Sequence, residues 1–509
     1  MTLKHTEHSK DDGFTQLLRM ERIKFRKTRG LVIGIIVALL LTVLPGLLIS
    51  AAMTGIGPTI PISPNGQAVT DKFYFVHQPL TGDGSITVRL TSLTGLITYP
   101  PPNHDQIVSG VVPWAKAGVI IKDGIKQGSA YAALMVTGAN GVRMQYNYTN
   151  DTAGHPGNVS PESPRWLRLT RSGDIITGYE SMDGVQWTKV DTVHLVELPS
   201  TAEVGLFVTS PGDITVLEGA SRFTSATADF DQLELQGEGT GDSWSYSDIG
   251  ATIKLDGSVH HPGRASRSGG TFTVTGNGDI APLGAEGGWT VERCLIGTFA
   301  GLIAVMIVAV LFVTAECHRR KKRGSGLAVP CPHKVLAAKA VVISITSFVI
   351  GLVAAIFTIV ICKQILLSNG NPVLPAAALT EVRIIFGTAA LFAFASVLAL
   401  AFAGLLRRGI LAATASIAAV ILPYILAFVN ALPLDVSRWL LRLTPAAGFA
   451  IQQSIPEYPQ VIGLYTPQVG YFPLAPWAGF TVLCGYTAII FGLAISKSHF
   501  RSDSLPRKH

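Results

Sequence analysis

Four residues in one short stretch, Cys317, His318, Cys331 and His333, are of the types that bind zinc. Zinc sites built from a single loop pair their cysteines about two to four residues apart. That knuckle is missing, so no metal site is expected. No GxxxxGK[ST] phosphate loop occurs anywhere, so the chain is not expected to hydrolyse a nucleotide itself. Nor does any Asp, Glu, His, Lys or Arg interrupt the interior of its six long apolar runs. Ion-coupled carriers and proton pumps need titratable groups at that depth, which disfavours both. No catalytic set is visible; Glu381 with Arg383 comes nearest and reads as an ion pair at the edge of a span. The remaining chemistry is charge at the ends of the runs. The stretch from Thr314 to Lys339 carries seven Lys and Arg residues, among them Arg319, Arg320, Arg323, Lys334 and Lys339, beside the lone carboxylate of Glu316. A second carboxylate, Glu21, stands in a basic segment where Phe14, Leu17, Leu18 and Phe25 share one helical face. A carboxylate on that apolar face is costly unless something polar meets it.

These groups must be positioned by membrane spans. Of 509 residues, 48% are hydrophobic and only 14% charged, which fits a membrane protein with a soluble part. The net charge of +7 sits at the ends of the apolar runs, so it sets topology and does not point to nucleic acid. Residues 1–30 read as a cytoplasmic tail with an amphipathic helix lying in the membrane interface among lipid headgroups. Residues 31–53 read as span 1, a retained signal anchor, preceded by eight Lys and Arg residues that hold the N-terminus inside. Residues 291–315 are span 2, in which Gly297 and Gly301 would permit close helix approach. Residues 316–339 form a cytoplasmic loop. Residues 340–496 hold spans 3 to 6, with an outer segment at 431–476 containing an amphipathic piece near 436–453. Residues 497–509 form a second cytoplasmic tail. Basic residues favour the inside at every crossing, giving six spans with both termini in.

Residues 54–290 interrupt this pattern as an extracellular insertion between spans 1 and 2. From Asp71 to about Glu234, short alternating runs are broken by turn residues, which predicts an antiparallel β-sandwich. Phe73–Val76 and Ser85–Leu90 read as two strands, and Asp183-Gly184 reads as a hairpin turn. Asp83, Asp123 and Asp183 are turn residues before they are calcium ligands. Asn147, Asn150 and Asn158 lie in Asn-x-Ser/Thr sequons. None of the five cysteines falls in this region, so its own core must hold it. Residues 237–288 are Gly- and Ser-rich with one strand-like island at 270–280, which either closes the sandwich or belongs to a stalk.

Pro79–Gly84, Trp114–Ile120, Pro164–Leu169 and Tyr179–Trp187 together resemble the concanavalin A/laminin-G-like jelly rolls attached to many bacterial surface enzymes. Ser181-x-Asp183-Gly184-x-x-Trp187 approaches the sialidase Asp-box but is one residue short, so no sialidase chemistry follows. Trp114, Trp166 and Trp187 are candidates for stacking on a glycan, with core packing as the competing role.

Thr314-Ala315-Glu316, then Pro330, then Lys334-Val335-Leu336-Ala337-Ala338-Lys339-Ala340 resembles the permease subunits of bacterial type-2 ABC exporters. The segment around Glu21 is similar to their elbow helix, and Leu441–Gly448 to their outer segment before the last span. Cys317-His318, Arg320–Arg323 and Cys331-Pro332-His333 depart from the family pattern. The resemblance implies a six-span permease, N-in and C-in, in a bacterial plasma membrane, working as a homodimer or with a paired permease. It implies an ABC ATPase subunit that supplies ATP and Mg chemistry, with no cofactor in this chain. Glu316, Arg319, Arg320, Arg323, Pro330, Lys334 and Lys339 would then couple to that ATPase. Expected substrates are lipid-like, peptide or drug-like, and the sandwich would meet an extracellular glycan or peptide. The competing function is a membrane-anchored glycan-binding or adhesion protein without transport, for which one span would suffice.

Overall fold

The computed structural model describes residues 8–55, 59–99, 105–196, 198–215, 220–254, 256–322, 333–463 and 465–503. At 8–13, 215, 220–221, 286, 316–322 and 499–503 the description is of the backbone alone. The chain forms two compact units, one from residues 1–57, 288–456 and 465–509, the other from 58–287 and 457–464.

The first unit is helical: α1 His8–Lys27, α2 Arg29–Ala52, α3 Val291–Cys294, α4 Thr298–Lys322, α5 His333–Ser368, α6 Ala378–Leu406, α7 Gly409–Phe428, α8 Leu434–Leu443 and α9 Pro476–Asp503. Six of these, α2, α4, α5, α6, α7 and α9, are long and apolar enough to cross a membrane. The expected second span is split: α3 and α4 are separated at residues 295–297. The third is longer than expected, because good helix formers on both sides carry α5 past the apolar run and take in Lys339 and Lys363. Gly297 and Gly301 do bring helices together. A Cβ at either would overlap Thr42 of α2, at its carbonyl and its hydroxyl respectively.

The amphipathic piece expected near 436–453 is α-helical only in its first part, since α8 stops at Leu443. Pro445 disfavours helical dihedrals at Thr444, which is extended at φ −108°, ψ 163°. The chain then makes a 3-10 turn, Pro445–Gln452, with every residue buried. Gln452 donates to the hydroxyls of Thr298 (3.1 Å) and Thr388 (3.0 Å), tying the turn to α4 and α6.

The second unit is an antiparallel β-sheet region. Its path runs Thr188–His194, Ile175–Ser181, Arg165–Ser172, Phe73–Thr98, Thr201–Thr209, Lys116–Lys122, Tyr131–Thr137, Val142–Tyr146, Asn150–Ala153. Phe73–Thr98 is one continuous strand where two were expected. Register shifts let it bend and pair with Thr201–Thr209 at one end, Arg165–Ser172 beyond, and Ala220–Glu238 along most of its length. Lys116–Lys122 and Tyr131–Thr137 are buried at every position. Ala117, Val119 and Ile121 pack with Val76 and Leu206 on one face. Ile120, Tyr131 and Met135 pack with Phe73 and Phe207 on the other.

The Asp183-Gly184 hairpin is present with a wider loop than two residues, since Glu180 pairs with Thr188. Asp183 Oδ1 accepts from the backbone N–H of Val185 and Gln186 and from the Ser181 hydroxyl, which holds its carboxyl below the usual range. The island at 270–280 is not a stalk: Thr271–Gly276 pairs with Ala226–Phe230. Four further strands in the Gly/Ser-rich stretch, Ser245–Ile249, Thr252–Ile253, Val259–His260 and Arg264–Ser268, were not expected. The ends of the insertion meet, because Val69–Asp71 pairs with Ile280–Pro282. One strand holds both. At its C-terminal end buried Lys122 reaches Asp71 (2.9 Å); at its N-terminal end buried Lys116 reaches Asp279 (2.6 Å) and the Ile280 carbonyl (2.6 Å). Residues 457–464 belong to this unit too, with Gln460 Nε2 donating to the Thr149 carbonyl at 3.3 Å.

Candidate functional site

At the basic end of the helical unit, α1, α4 and α5 converge on Glu21. The residue is fully buried, as its place on the apolar face of α1 requires. Its Oε2 lies 2.9 Å from the ammonium of Lys339, which is 2% exposed, and its Oε1 accepts from Lys24 at 2.6 Å. Lys339 also donates to the Phe312 carbonyl of α4 (3.1 Å), and its ammonium stands 4.1 Å from the centroid of the Phe312 ring. Phe312 meets Phe25 of α1 edge to face at 5.1 Å. One phenylalanine therefore supplies a carbonyl, a cation-binding face and an apolar contact, while a carboxylate from a third helix neutralises the lysine. Taking such a pair out of water is costly, and breaking it leaves a buried charge. The arrangement makes α1 a brace across α4 and α5.

The sequence-predicted residues divide around this node. Glu21, Phe25 and Lys339 are brought together in it. Leu18 packs against the helical core, Phe14 and Leu17 are half-buried, and Lys334 is exposed on the first turn of α5. Arg323, Pro330 and Cys331 lie outside the described residues, as do the side chains of Glu316, Cys317, His318, Arg319 and Arg320, whose backbone continues α4. Sequence reasoning missed Phe312, since a phenylalanine in an apolar run carries no signal of its partner.

The expected Glu381–Arg383 ion pair is not formed. Residues two apart on a helix do not face each other. Glu381 pairs instead with Lys363 of α5, and Arg383 donates to the Gln453 carbonyl beside the buried 3-10 turn.

Three of the four tryptophans of the β unit, Trp114, Trp166 and Trp187, each lie under a cation. Arg143 stands 5.6 Å from the Trp114 ring, Arg89 5.8 Å from Trp166, and Arg168 3.9 Å from Trp187. Trp114 is buried, and Trp166 is packed against Gly184, where φ is +75° and a Cβ would press on the indole. Among the described residues no group of three or more His, Cys, Asp or Glu is placed to hold a metal.

No protein-family model matches the chain, and no curated protein matches it. Among solved structures, scytalido-glutamic peptidase aligns at 10% identity and a TM-score of 0.27, covering 42% of this chain and 100% of that one. A functionally unknown protein from Saccharomyces cerevisiae aligns at 14% and 0.21, covering 36% of this chain and 84% of its own. A xylan β-1,4-xylosidase from Bacillus halodurans aligns at 15% and 0.20, covering 31% and 32%. Likenesses this loose carry no argument about activity.

Proposed function

We propose that the chain is the transmembrane subunit of an ATP-driven exporter, moving a lipid-like, peptide or drug-like substrate with energy from a separate ATPase chain. The observation that carries this reading is the Glu21–Lys339 pair, buried between α1 and the ends of α4 and α5. A protein that used its helices only as an anchor would gain nothing from it. A subunit pushed from below needs a stiff joint of this kind, through which displacement at the membrane surface reaches the spans.

In this reading the basic helix ends and both termini face the cytoplasm. The β unit is then an extracellular jelly-roll sandwich inserted between spans 1 and 2, available to an outside glycan or peptide. Glu316, Arg319, Arg320, Arg323, Pro330 and Lys334 form the contact with the ATPase, which holds ATP and Mg. A second copy or a related permease completes the path.

Co-expression with an ATPase encoded beside this chain tests the reading. A detergent-stable complex with ATP turnover is expected. Replacing Glu316 together with Arg323 should lower that turnover at unchanged expression. Failure of any ATPase to copurify, with full-length chain present in the membrane, overturns it.

A further inference from the structure

At the opposite end of the helical unit from Glu21, two cysteines from different helices come together. Cys294 ends α3 and Cys362 lies in the last third of α5; they are 1% and 0% exposed and pack side by side in one buried cluster with Leu366. Leu47, Trp289 and Val373 close over that cluster. Gly46 of α2 is the shared floor. Its missing Cβ leaves room for the Cys294 carbonyl, and its own carbonyl lies 3.7 Å from the Cys362 sulfur. The Ser50 hydroxyl, which donates to the Gly46 carbonyl at 2.6 Å, stands 2.5 Å from that sulfur. Three backbones thus hold two thiols in one place.

We propose that Cys294 and Cys362 are a disulfide-forming pair that covalently joins the lead-in of α4 to α5. The oxidant is a disulfide, either an envelope dithiol oxidase acting before the helices close or a small disulfide afterwards. One cysteine gives up its proton and its sulfur attacks the oxidant, expelling one thiol. The second cysteine then attacks the mixed disulfide and expels the other. Two protein thiols lose two electrons and two protons, and one oxidant disulfide becomes two thiols. The bond fixes α3 to α5 above Gly46, so it sets how far these ends move apart and leaves the Glu21 end unchanged. The inference does not depend on the exporter reading.

The test uses the full chain in membranes prepared without reductant, denatured in excess N-ethylmaleimide and digested for mass spectrometry. Of the five cysteines, three should take the label before reduction and all five after it. A linked peptide containing Cys294 and Cys362 should be present and should vanish on reduction. The same link should form when reduced membranes are treated with diamide, and should be absent from Cys294→Ser and Cys362→Ser chains. Labelling of all five cysteines in both the untreated and the diamide-treated wild type overturns the proposal, and so does a link between any other pair.

Discussion

Each unit of this molecule buries a lysine against a carboxylate, and the two do different work. In the β unit, Lys122 donates hydrogen bonds to Asp71 (2.9 Å), the Ser129 carbonyl (3.2 Å) and the Tyr148 hydroxyl (3.2 Å). Asp71 Oδ2 in turn accepts from Tyr148 (2.7 Å) and the Gly128 N–H (2.8 Å). Those partners lie on strands and turns that share one core, so the pair staples the leading end of the insertion to its centre. In the helical unit, Glu21 and Lys339 join the basic helix α1 to α4 and α5, with an aromatic ring and a backbone carbonyl also against the lysine. The first pair holds together strands and turns of one core. Under the exporter reading, the second sits at a stiff joint between helices.

The largest expected effect is in the β unit. Lys122→Met leaves Asp71 buried without its cation, at a cost of roughly 3–5 kcal/mol. Limited proteolysis should then cut within 58–287 while the helical fragments stay intact. Equal loss in both units would erase the distinction between the two pairs. Glu21→Gln should cost less, about 1.5–3 kcal/mol as a lost charge-assisted contact, because Lys339 keeps its carbonyl and ring. Detergent thermal unfolding reads that loss. Under the exporter reading, ATP turnover should fall by more than the folded fraction does. The exchange Glu21→Lys with Lys339→Glu sharpens the point, since recovery of stability without turnover would mean that the pair braces the fold and does not transmit motion.

Phe312→Leu keeps much of the volume but removes the face beneath the ammonium and the contact with Phe25. A loss of about 1–2 kcal/mol is expected from the cation–π and aromatic contacts. The smallest effect is a pH slope. Burial lowers the Lys122 pKa from its usual 10.5, with Asp71 and Asp123 pulling the other way. The unfolded chain therefore binds more protons between the lowered value and 10.5, so the stability of the β unit should rise with pH across that window. Lys122→Met should lack this slope. A wild-type β unit that loses stability there, relative to Lys122→Met, would contradict the assignment.

Much of this was legible in the residues. Length and apolarity were enough for six candidate spans, and the odd position of Glu21 on an apolar face marked it as a residue in want of a partner. That the partner is Lys339 was not legible, since more than 300 residues separate them and only packing brings them together. Glu381 and Arg383 misled because closeness in sequence is not closeness on a helix. Ser245–Ile249 and Arg264–Ser268 escaped notice because most of their side chains are polar or exposed, so no alternating apolar face marked them. The tryptophans were legible as candidates for stacking on a glycan or for core packing, but the arginines above their rings were not, because those come from strands that composition cannot order.

Residues 457–464 have a consequence in time. They are part of the β unit, yet the ribosome makes them after α7, roughly 170 residues behind the rest of that unit. The insertion therefore waits, incomplete, while six further helices, α3 to α8, are synthesised. A chain truncated before residue 457 should display a β unit that folds but is clipped faster at Thr149, where Gln460 would have sat.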